Sequence, residues 1–345
     1  MGKLSAWKEL LKIGRLGSLR QDINHFFREN VLSTFESEGL FSFLMIPHSK
    51  QEIMVNFHYT DGNFLDEVLK ALTNDEMLIK VDGKVHYQPP QNGNGKIINP
   101  RVFSESLVDL FKNYAKAMPG RLRGQYVSFS SGINLFNWDD ALASKMYTQI
   151  RKSALNFANV TRKPCKFLDV GCGNGYTTTA IWNEYFQRGL IKPGVRTEIN
   201  GIDPDTNLLK IAEEENYKRI TKITGKTRED MKKYEPFFPR FQVGNAENIP
   251  FEDEYFDAVY ASQVLHWTDT KKSIKEMLRV TRKGGKVFGT ENLYPSANRY
   301  NDLHFKVVQG AQGFFYNKDL VRWGYEAGAK KIQIATPISV FLLKK

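Results

Sequence analysis

One ten-residue stretch constrains this chain more than any other: Lys166-Phe167-Leu168-Asp169-Val170-Gly171-Cys172-Gly173-Asn174-Gly175. An apolar strand runs into three glycines at alternate positions, and a helical pattern, Tyr176 to Phe186, follows directly. Glycines let the backbone turn sharply and let a ligand approach with no Cβ in the way. The spacing is G-x-G-x-G, not the G-x-G-x-x-G of a dinucleotide loop. In addition, Asp169 ends the strand two residues before the first glycine. A pyrophosphate calls for amides and positive charge, whereas an acid suits a ligand that carries an ammonium group. Beyond Lys163 strand and helix patterns alternate to the end, the order that builds a mostly parallel sheet covered on both faces.

With 345 residues the chain is long for one domain, since a typical domain takes roughly 100–200. The net charge of +11 raises the question of nucleic acid, so its distribution matters. Lys and Arg minus Asp and Glu give −1 over residues 1–100 and +12 over 101–345, spread without a long like-charged run. A solvated surface is the expectation, not a basic tail. Cys165 and Cys172 are the two cysteines, and no zinc-type spacing accompanies them, so neither a disulfide nor a metal is expected. No stretch is apolar for the roughly 20 residues a bilayer requires, and the first 20 residues lack a hydrophobic signal core. A cytoplasmic protein with no membrane contact is the expectation.

Upstream of the glycine loop, residues 7–25 space apolar groups as a short amphipathic helix would. Helices are predicted around Val31 to Leu44 and Gln51 to Phe57, and Phe64, Leu65, Val68, Leu69 and Leu72 form a third buried helix face. Met77 to Val81 and Lys84 to Tyr87 then flank Asp82-Gly83, a pair favoured in two-residue hairpin turns because both residues need φ > 0. Three helices and a hairpin resemble a winged helix. The Pro, Gly, Asn and Gln content of Gln88 to Pro100 predicts a linker. Residues 101–118 and 138–158 look helical. The expected organisation is 1–95 as a small winged-helix-like α+β domain for dimerisation or as a lid, 96–160 as linker and helical lid, and 161–345 as the α/β domain.

From residue 165 onward the chain resembles class I S-adenosylmethionine-dependent methyltransferases, on four matches in order. Asp169, Gly171, Cys172, Gly173 and Gly175 match the first motif. Glu198 to Asp203 is a second strand ending in an acid, and the resemblance implies that Asp203 holds the ribose hydroxyls of the donor; capping of the next helix is its other possible use. Val243 to Phe251 resembles the adenine-contacting turn, with Asn245 where an aspartate is usual, followed by Ala246 and Glu247; Glu247 and Asn248 could equally be ordinary loop residues. Phe256 to Gln263 and Val280 to Phe288 resemble the fourth strand with its exit and the turn into the fifth, and the resemblance implies that Ser262 and Gln263, like Asn245, Ala246 and Glu247, line the cofactor site. The implied fold is a Rossmann-like domain with a mostly parallel seven-stranded sheet and helices on both faces. The implied methyl donor is S-adenosyl-L-methionine. Cys172 reads as a packing residue and not as a nucleophile.

A sulfonium methyl is already activated, so such an enzyme mainly aligns donor and acceptor and removes a proton where needed. His266, in Val264-Leu265-His266-Trp267, resembles the general base of winged-helix small-molecule O-methyltransferases, whose segment has an extra residue between His and Trp; a pocket-lining histidine is the plainer reading. Ser262-Gln263-Val264-Leu265 departs from the Asn/Asp-Pro-Pro-aromatic sequence that grips a flipped base, and Pro164-Cys165 precedes the first strand, so base methylation is disfavoured. Tyr126, Phe129, Phe136, Trp138 and the span Tyr300 to Phe315 are candidate acceptor-lid aromatics, with ordinary core packing as the other reading. A small-molecule acceptor methylated at O or N, and a homodimer, are the resulting expectations. A nucleic-acid-associated methyltransferase or sensor is the alternative; Asp66 and Glu67 against Lys70 in the candidate recognition helix weigh against it.

Overall fold

The computed structural model describes residues 17–89, 97–128, 138–335 and 340–345. They form two compact units: the described residues up to 128 with Ala297–Gly313, and Trp138–Ser296 with Phe314–Lys345. This border differs from a division at residue 161. The helices Trp138–Ala143 and Lys145–Ala158 belong to the sheet unit, while Glu105–Lys116 and Met118–Leu122 belong to the first.

In the first unit a helix runs Gly17–Ser37, and a separate turn of helix covers Leu40–Phe43. The single helix expected over Val31 to Leu44 is thus split in two. Gly39, at φ 84°, takes the left-handed conformation that stops one helix before the next begins. The helix expected over residues 7–25 lies partly outside the described residues; its described part opens Gly17–Ser37. Lys50–Phe57 begins with a capping box between Ser49 and Glu52, and Gly62–Asn74 begins at Asp61, whose carboxylate accepts from Phe64 N at 2.8 Å. Phe64, Leu65, Val68, Leu69 and Leu72 are all buried, as their spacing predicts. Strands β1 (Leu78–Val81) and β2 (Lys84–Tyr87) pair antiparallel, and Asp82 and Gly83 both have positive φ. The helix Arg299–Lys306, far away in sequence, completes this unit: Tyr300 Oη donates to Asp75 at 3.2 Å, and His304 lies 4.8 Å, ring to ring, from Phe27.

The second unit is built on β3 (Lys166–Val170), β4 (Glu198–Asp203), β5 (Arg240–Val243), β6 (Phe256–Ser262) and β7 (Thr281–Thr290). Two short strands, β8 (Leu293–Tyr294) and β9 (Phe315–Tyr316), pair with each other, and β10 (Lys331–Ala335) and β11 (Val340–Lys344) end the chain. The seven-stranded sheet has the order β10-β11-β7-β6-β3-β4-β5, with β11 antiparallel to both of its neighbours and every other pairing parallel. Helices cover both faces, which is why these strands read as near-continuous apolar runs. Phe167, Tyr260 and Phe288 pack on one face against Trp182 and Tyr185, while Leu168, Val259 and Val287 pack on the other against Ile274, Met277 and Leu278. Truncating a buried ring such as Phe167 to Ala costs about 3–5 kcal/mol.

The chain leaves β3 toward β4 and β5 on one side and returns to β6 and β7 on the other. The reversal opens a crevice at the carboxyl ends of β3 and β6, where open α/β sheets bind ligands.

Candidate active site

Each glycine of the first loop answers a different demand, though all three have positive φ. At Gly171 a Cβ would stand 2.6 Å from the Val264 side chain, and at Gly175 it would meet Ala212 and the Phe241 ring at 2.7 and 2.8 Å. At Gly173 it would meet nothing within 4 Å. Two glycines therefore permit close packing of protein on protein, and the middle one faces open space that a ligand can use. Cys172 is buried against Gly201, and burial pushes its thiol well above the usual range, so it packs and does not react.

The loop is fastened from both ends. Gly173 N donates to Asp203 Oδ2 at 2.8 Å, and Asp205 N donates to Asp203 Oδ1 at 2.9 Å. Asp203 is not the cap of the following helix Thr206–Thr224; that role falls to Asp205, whose carboxylate accepts from Asn207 N and Leu208 N. Each Asp203 oxygen, having taken one backbone N–H, keeps a lone pair, so the pair of oxygens fits a vicinal diol. On the other side of the loop, Arg219 binds Asp139 through two parallel bonds of 2.8 Å and also donates to Asn174 O. Asn174 Nδ2 in turn donates to Asp139 at 2.9 Å. Neither Asp139 nor Arg219 lies in a recognisable motif, and their 80-residue separation hides the pair from a reading of sequence.

Asp169 ends β3, buried, and accepts from Thr178 Oγ1 at 2.6 Å. Burial, reinforced by the charge of Asp203, pushes its carboxyl up to about 7 against the opposing pull of Thr178 and Arg151. An ammonium group brought beside it would restore the ionised form. Open space at Gly173, a carboxylate at Asp203 suited to a diol and a buried acid at Asp169 suited to an ammonium are the features that the residues here offer a ligand.

The turn after β5 is joined to the same edge, since Gly244 N donates to Asp203 O at 3.1 Å. Asn245 is exposed, and its Oδ1 accepts from Glu247 N at 2.8 Å, while Ala246 is buried. Glu247 is committed to structure: its Oε1 accepts from Asp269 N at 2.8 Å, just before the helix Thr270–Val280.

The exit of β6 holds the other half of the site. Ser262 Oγ lies 2.6 Å from Thr290 Oγ1, tying the ends of β6 and β7. Gln263, at φ 56°, turns the chain, and its Oε1 accepts from Asn292 at 2.9 Å. His266 follows on a single turn of 3₁₀ helix, fully buried. Its Nδ1 lies 2.8 Å from Glu291 Oε1, and the other oxygen of Glu291 accepts from Leu265 N at 2.9 Å. Because a carboxylate only accepts, this contact assigns a proton to Nδ1. Glu291 lies directly beyond β7, 25 residues from its partner; an acid closing the apolar run Val287 to Thr290 was the available signal.

Of the expected lid aromatics, Phe314 stands edge-on to His266 with ring centroids 5.5 Å apart. Tyr300 instead lies in the core of the first unit, and Tyr126 there carries Arg121 over its ring at 4.0 Å. Phe129, Phe136 and the Trp138 side chain lie outside the described residues.

Residues 168–289 match the model of a methyltransferase domain. Over 197 residues the chain is 28% identical to norajmaline N-methyltransferase of Rauvolfia serpentina, covering 53% of this chain and 59% of that protein. Over 182 residues it is 28% identical to a demethylmenaquinone methyltransferase of Anoxybacillus flavithermus, covering 51% and 65%. The chain thus spans less than two thirds of these curated relatives. Among solved structures, the CMeT domain of the citrinin polyketide synthase superposes with a TM-score of 0.72 at 15% identity, over 99% of this chain and 94% of that one. The CurJ carbon methyltransferase gives 0.71 at 14% identity, over 99% and 96%. Both are likenesses of fold. The glycine loop, the strand order and the matched residues agree: residues 168–289 match a methyltransferase domain, and the seven-stranded, mostly parallel sheet that carries them is Rossmann-like.

Proposed function

We propose that the chain is an S-adenosylmethionine-dependent methyltransferase acting on a small, partly apolar molecule that must give up a proton, in the first place from an enolisable carbon. The buried His266–Glu291 pair at the sheet edge carries this reading. Glu291 holds the imidazole in the tautomer that accepts at Nε2 and stabilises the cation formed when it does. The bound donor supplies a methyl on a sulfonium, which leaves a neutral thioether behind. Asp203 orients the sugar, Asp169 holds the ammonium end, and the apolar surround of His266, including Phe314 and Leu265, keeps water from the proton being moved. Fold likeness over nearly the whole chain to the CurJ carbon methyltransferase supports carbon. A hydroxyl acceptor makes the same demand on His266, and the resemblance around that residue to O-methyltransferases supports it as the second reading. An amine attacks through its own lone pair and needs no buried base, so nitrogen ranks third.

The test is methyl-labelled donor offered with a β-dicarbonyl compound, a phenol and an amine. Label on carbon or oxygen in the wild type, lost in His266→Ala, is the expected result. Label on nitrogen alone, undiminished in His266→Ala, would sink the reading.

For the first unit we infer a winged-helix-like module that joins two copies of the chain. The three helices and hairpin support the first half of this statement, and the exposed Met45, Ile46 and Val55 the second. Asp66 and Glu67 on the helix Gly62–Asn74 argue against a grip on phosphate. Light scattering that finds a monomer, or duplex binding that falls steeply with salt, overturns it.

A further inference from the structure

A second concave place lies at the end of the sheet opposite the crevice. A cavity of about 230 Å³ opens at the amino ends of β4 and β5, lined by residues 195–200 on one side and by residues 236–238 with Arg240 on the other. That is several times the roughly 30 Å³ one water takes in the liquid, and it falls just short of the roughly 300 Å³ at which pockets for drug-sized molecules begin. From Thr197 to Asp203 the extended chain rises about 20 Å at roughly 3.3 Å per residue, so an occupant here is out of reach of the glycine loop.

Three polar side chains of the lining are left without partners. Thr197 is 5% exposed, and its enclosed Oγ1 finds no hydrogen bond among the described residues. A buried hydroxyl left unpaired is costly, and one staggered step of χ1 exchanges the places of hydroxyl and methyl. The Arg196 and Arg240 side chains are exposed and have neither a hydrogen bond nor an ion pair among the described residues, whereas Arg219, Arg279 and Arg282 are each engaged with carboxylates. Glu198 also lines the cavity, but its charge is answered from the side away from β5: Tyr255 Oη donates to Oε2 at 3.1 Å, and Lys166 Nζ stands 4.0 Å from Oε1. The opposite wall is apolar and fixed. Trp182 Nε1 donates to Phe237 O at 2.7 Å, and the Phe238 ring stands edge-on to Trp182 with centroids 5.5 Å apart. Guanidinium forks recognise oxyanions, a hydroxyl adds one donor, and a fixed apolar wall suits a flat ring.

We propose that this cavity binds a small aromatic oxyanion, a phosphate or carboxylate carried on a single ring, with Arg196, Arg240 and the Thr197 hydroxyl on the anionic head and residues 236–238 against the ring. It is a second binding site, and it stands whether or not the crevice at the other end of the sheet holds a methyl donor.

Calorimetry on the full chain with phenyl phosphate, benzoate, inorganic phosphate and benzyl alcohol tests this. Saturable binding of phenyl phosphate or benzoate, about tenfold or more tighter than that of inorganic phosphate or benzyl alcohol, is expected, and the tighter of the two names the head group. Arg196→Gln and Arg240→Gln should each weaken it by about tenfold, the scale of one charge-assisted hydrogen bond; both side chains are exposed, so neither change threatens the fold. Thr197→Val should weaken the ligand and raise the melting temperature of the empty protein, since it removes the unpaired hydroxyl. The proposal is overturned if neither aromatic anion binds saturably, if inorganic phosphate binds as tightly, if both arginine variants bind as the wild type does, or if S-adenosylhomocysteine displaces the anion. None of these results touches the methyltransferase reading, which rests on the opposite end of the sheet.

Discussion

The two sides of the crevice are built by opposite strategies. The side proposed for the donor, at the ends of β3, β4 and β5, is built from short consecutive motifs: backbone amides, three glycines and two acids at the strand ends. The side proposed for the acceptor, at the ends of β6 and β7, depends on His266 meeting Glu291 only after folding, and the pairs Ser262 with Thr290 and Gln263 with Asn292, expected at the donor, likewise join residues distant in sequence. A donor common to many enzymes can be held by one local solution. An acceptor that differs between enzymes is met by pairs that can be exchanged without disturbing the loop.

The sharpest way to break this contrast is Gly173→Val. The branched side chain would fill the open space, so donor binding should vanish, while the melting temperature falls only by the strain of a β-branched residue at φ 55°, because its Cβ meets no protein atom within 4 Å. Gly171→Ala should do the reverse and unsettle the acceptor side by pressing on Val264, two residues before His266. Calorimetry with S-adenosylhomocysteine beside thermal melting separates the two; full donor affinity in Gly173→Val would mean that the ligand lies elsewhere.

His266→Ala should reduce turnover by about 10²–10⁴-fold with donor affinity unchanged, the range for loss of a general base. Glu291→Gln should produce a smaller loss and shift the pH profile, since the tautomer loses its anchor. Single-turnover assays with labelled donor measure both, and a rate in His266→Ala near that of the wild type removes the base.

Asp203→Ala should weaken donor binding by about 1.5–3 kcal/mol, the worth of hydrogen bonds to a charged group, with little effect on the rate at saturating donor. An unchanged dissociation constant would assign Asp203 to holding Gly173 and Asp205 alone.

The smallest effect is in pH. The Asp169 carboxyl titrates near 3.9 when unfolded and at about 7 when folded, so the native state holds the proton more tightly. Its contribution to stability therefore falls as pH rises from about 4 to about 7 and is level above that. Donor binding needs the ionised form, so affinity should drop by up to about tenfold for each pH unit below 7. Titrations at pH 5.5, 6.5 and 8 decide it, and a flat affinity would detach Asp169 from the ammonium.

The same contrast governs what could be read in the sequence. Asp169, the three glycines and Asp203 sit within 35 consecutive residues, and local spacing suffices for them. The hairpin at Asp82-Gly83 was legible for the same reason: the turn's demand for positive φ falls on two adjacent residues. The helix break at Gly39 was missed because the apolar spacing continues across it, although the glycine itself marked the place. Arg219 and Asp139 were illegible because each takes its meaning from a partner 80 residues away, whereas Glu291, 25 residues from His266, was marked only by its place closing an apolar run. For Tyr300 the two readings, lid and core, were both open in the sequence, because membership in a core is decided by topology and not by order along the chain.

The stretch Ala297–Gly313 has a consequence for how such a protein can be inherited. It leaves the sheet unit after β8 and returns at β9, but its buried Tyr300, Leu303 and His304 complete the first unit's interior. A unit assembled from two separate lengths of gene cannot be transplanted by a single crossover. A recombinant that carried residues 1–128 alone would lack the helix that covers Phe27 and Phe111, and the donor gene would be left with an orphaned apolar helix. Exchange between diverging copies of this gene would therefore preserve the two units as a linked pair, so that changes in one are selected in the company of the other.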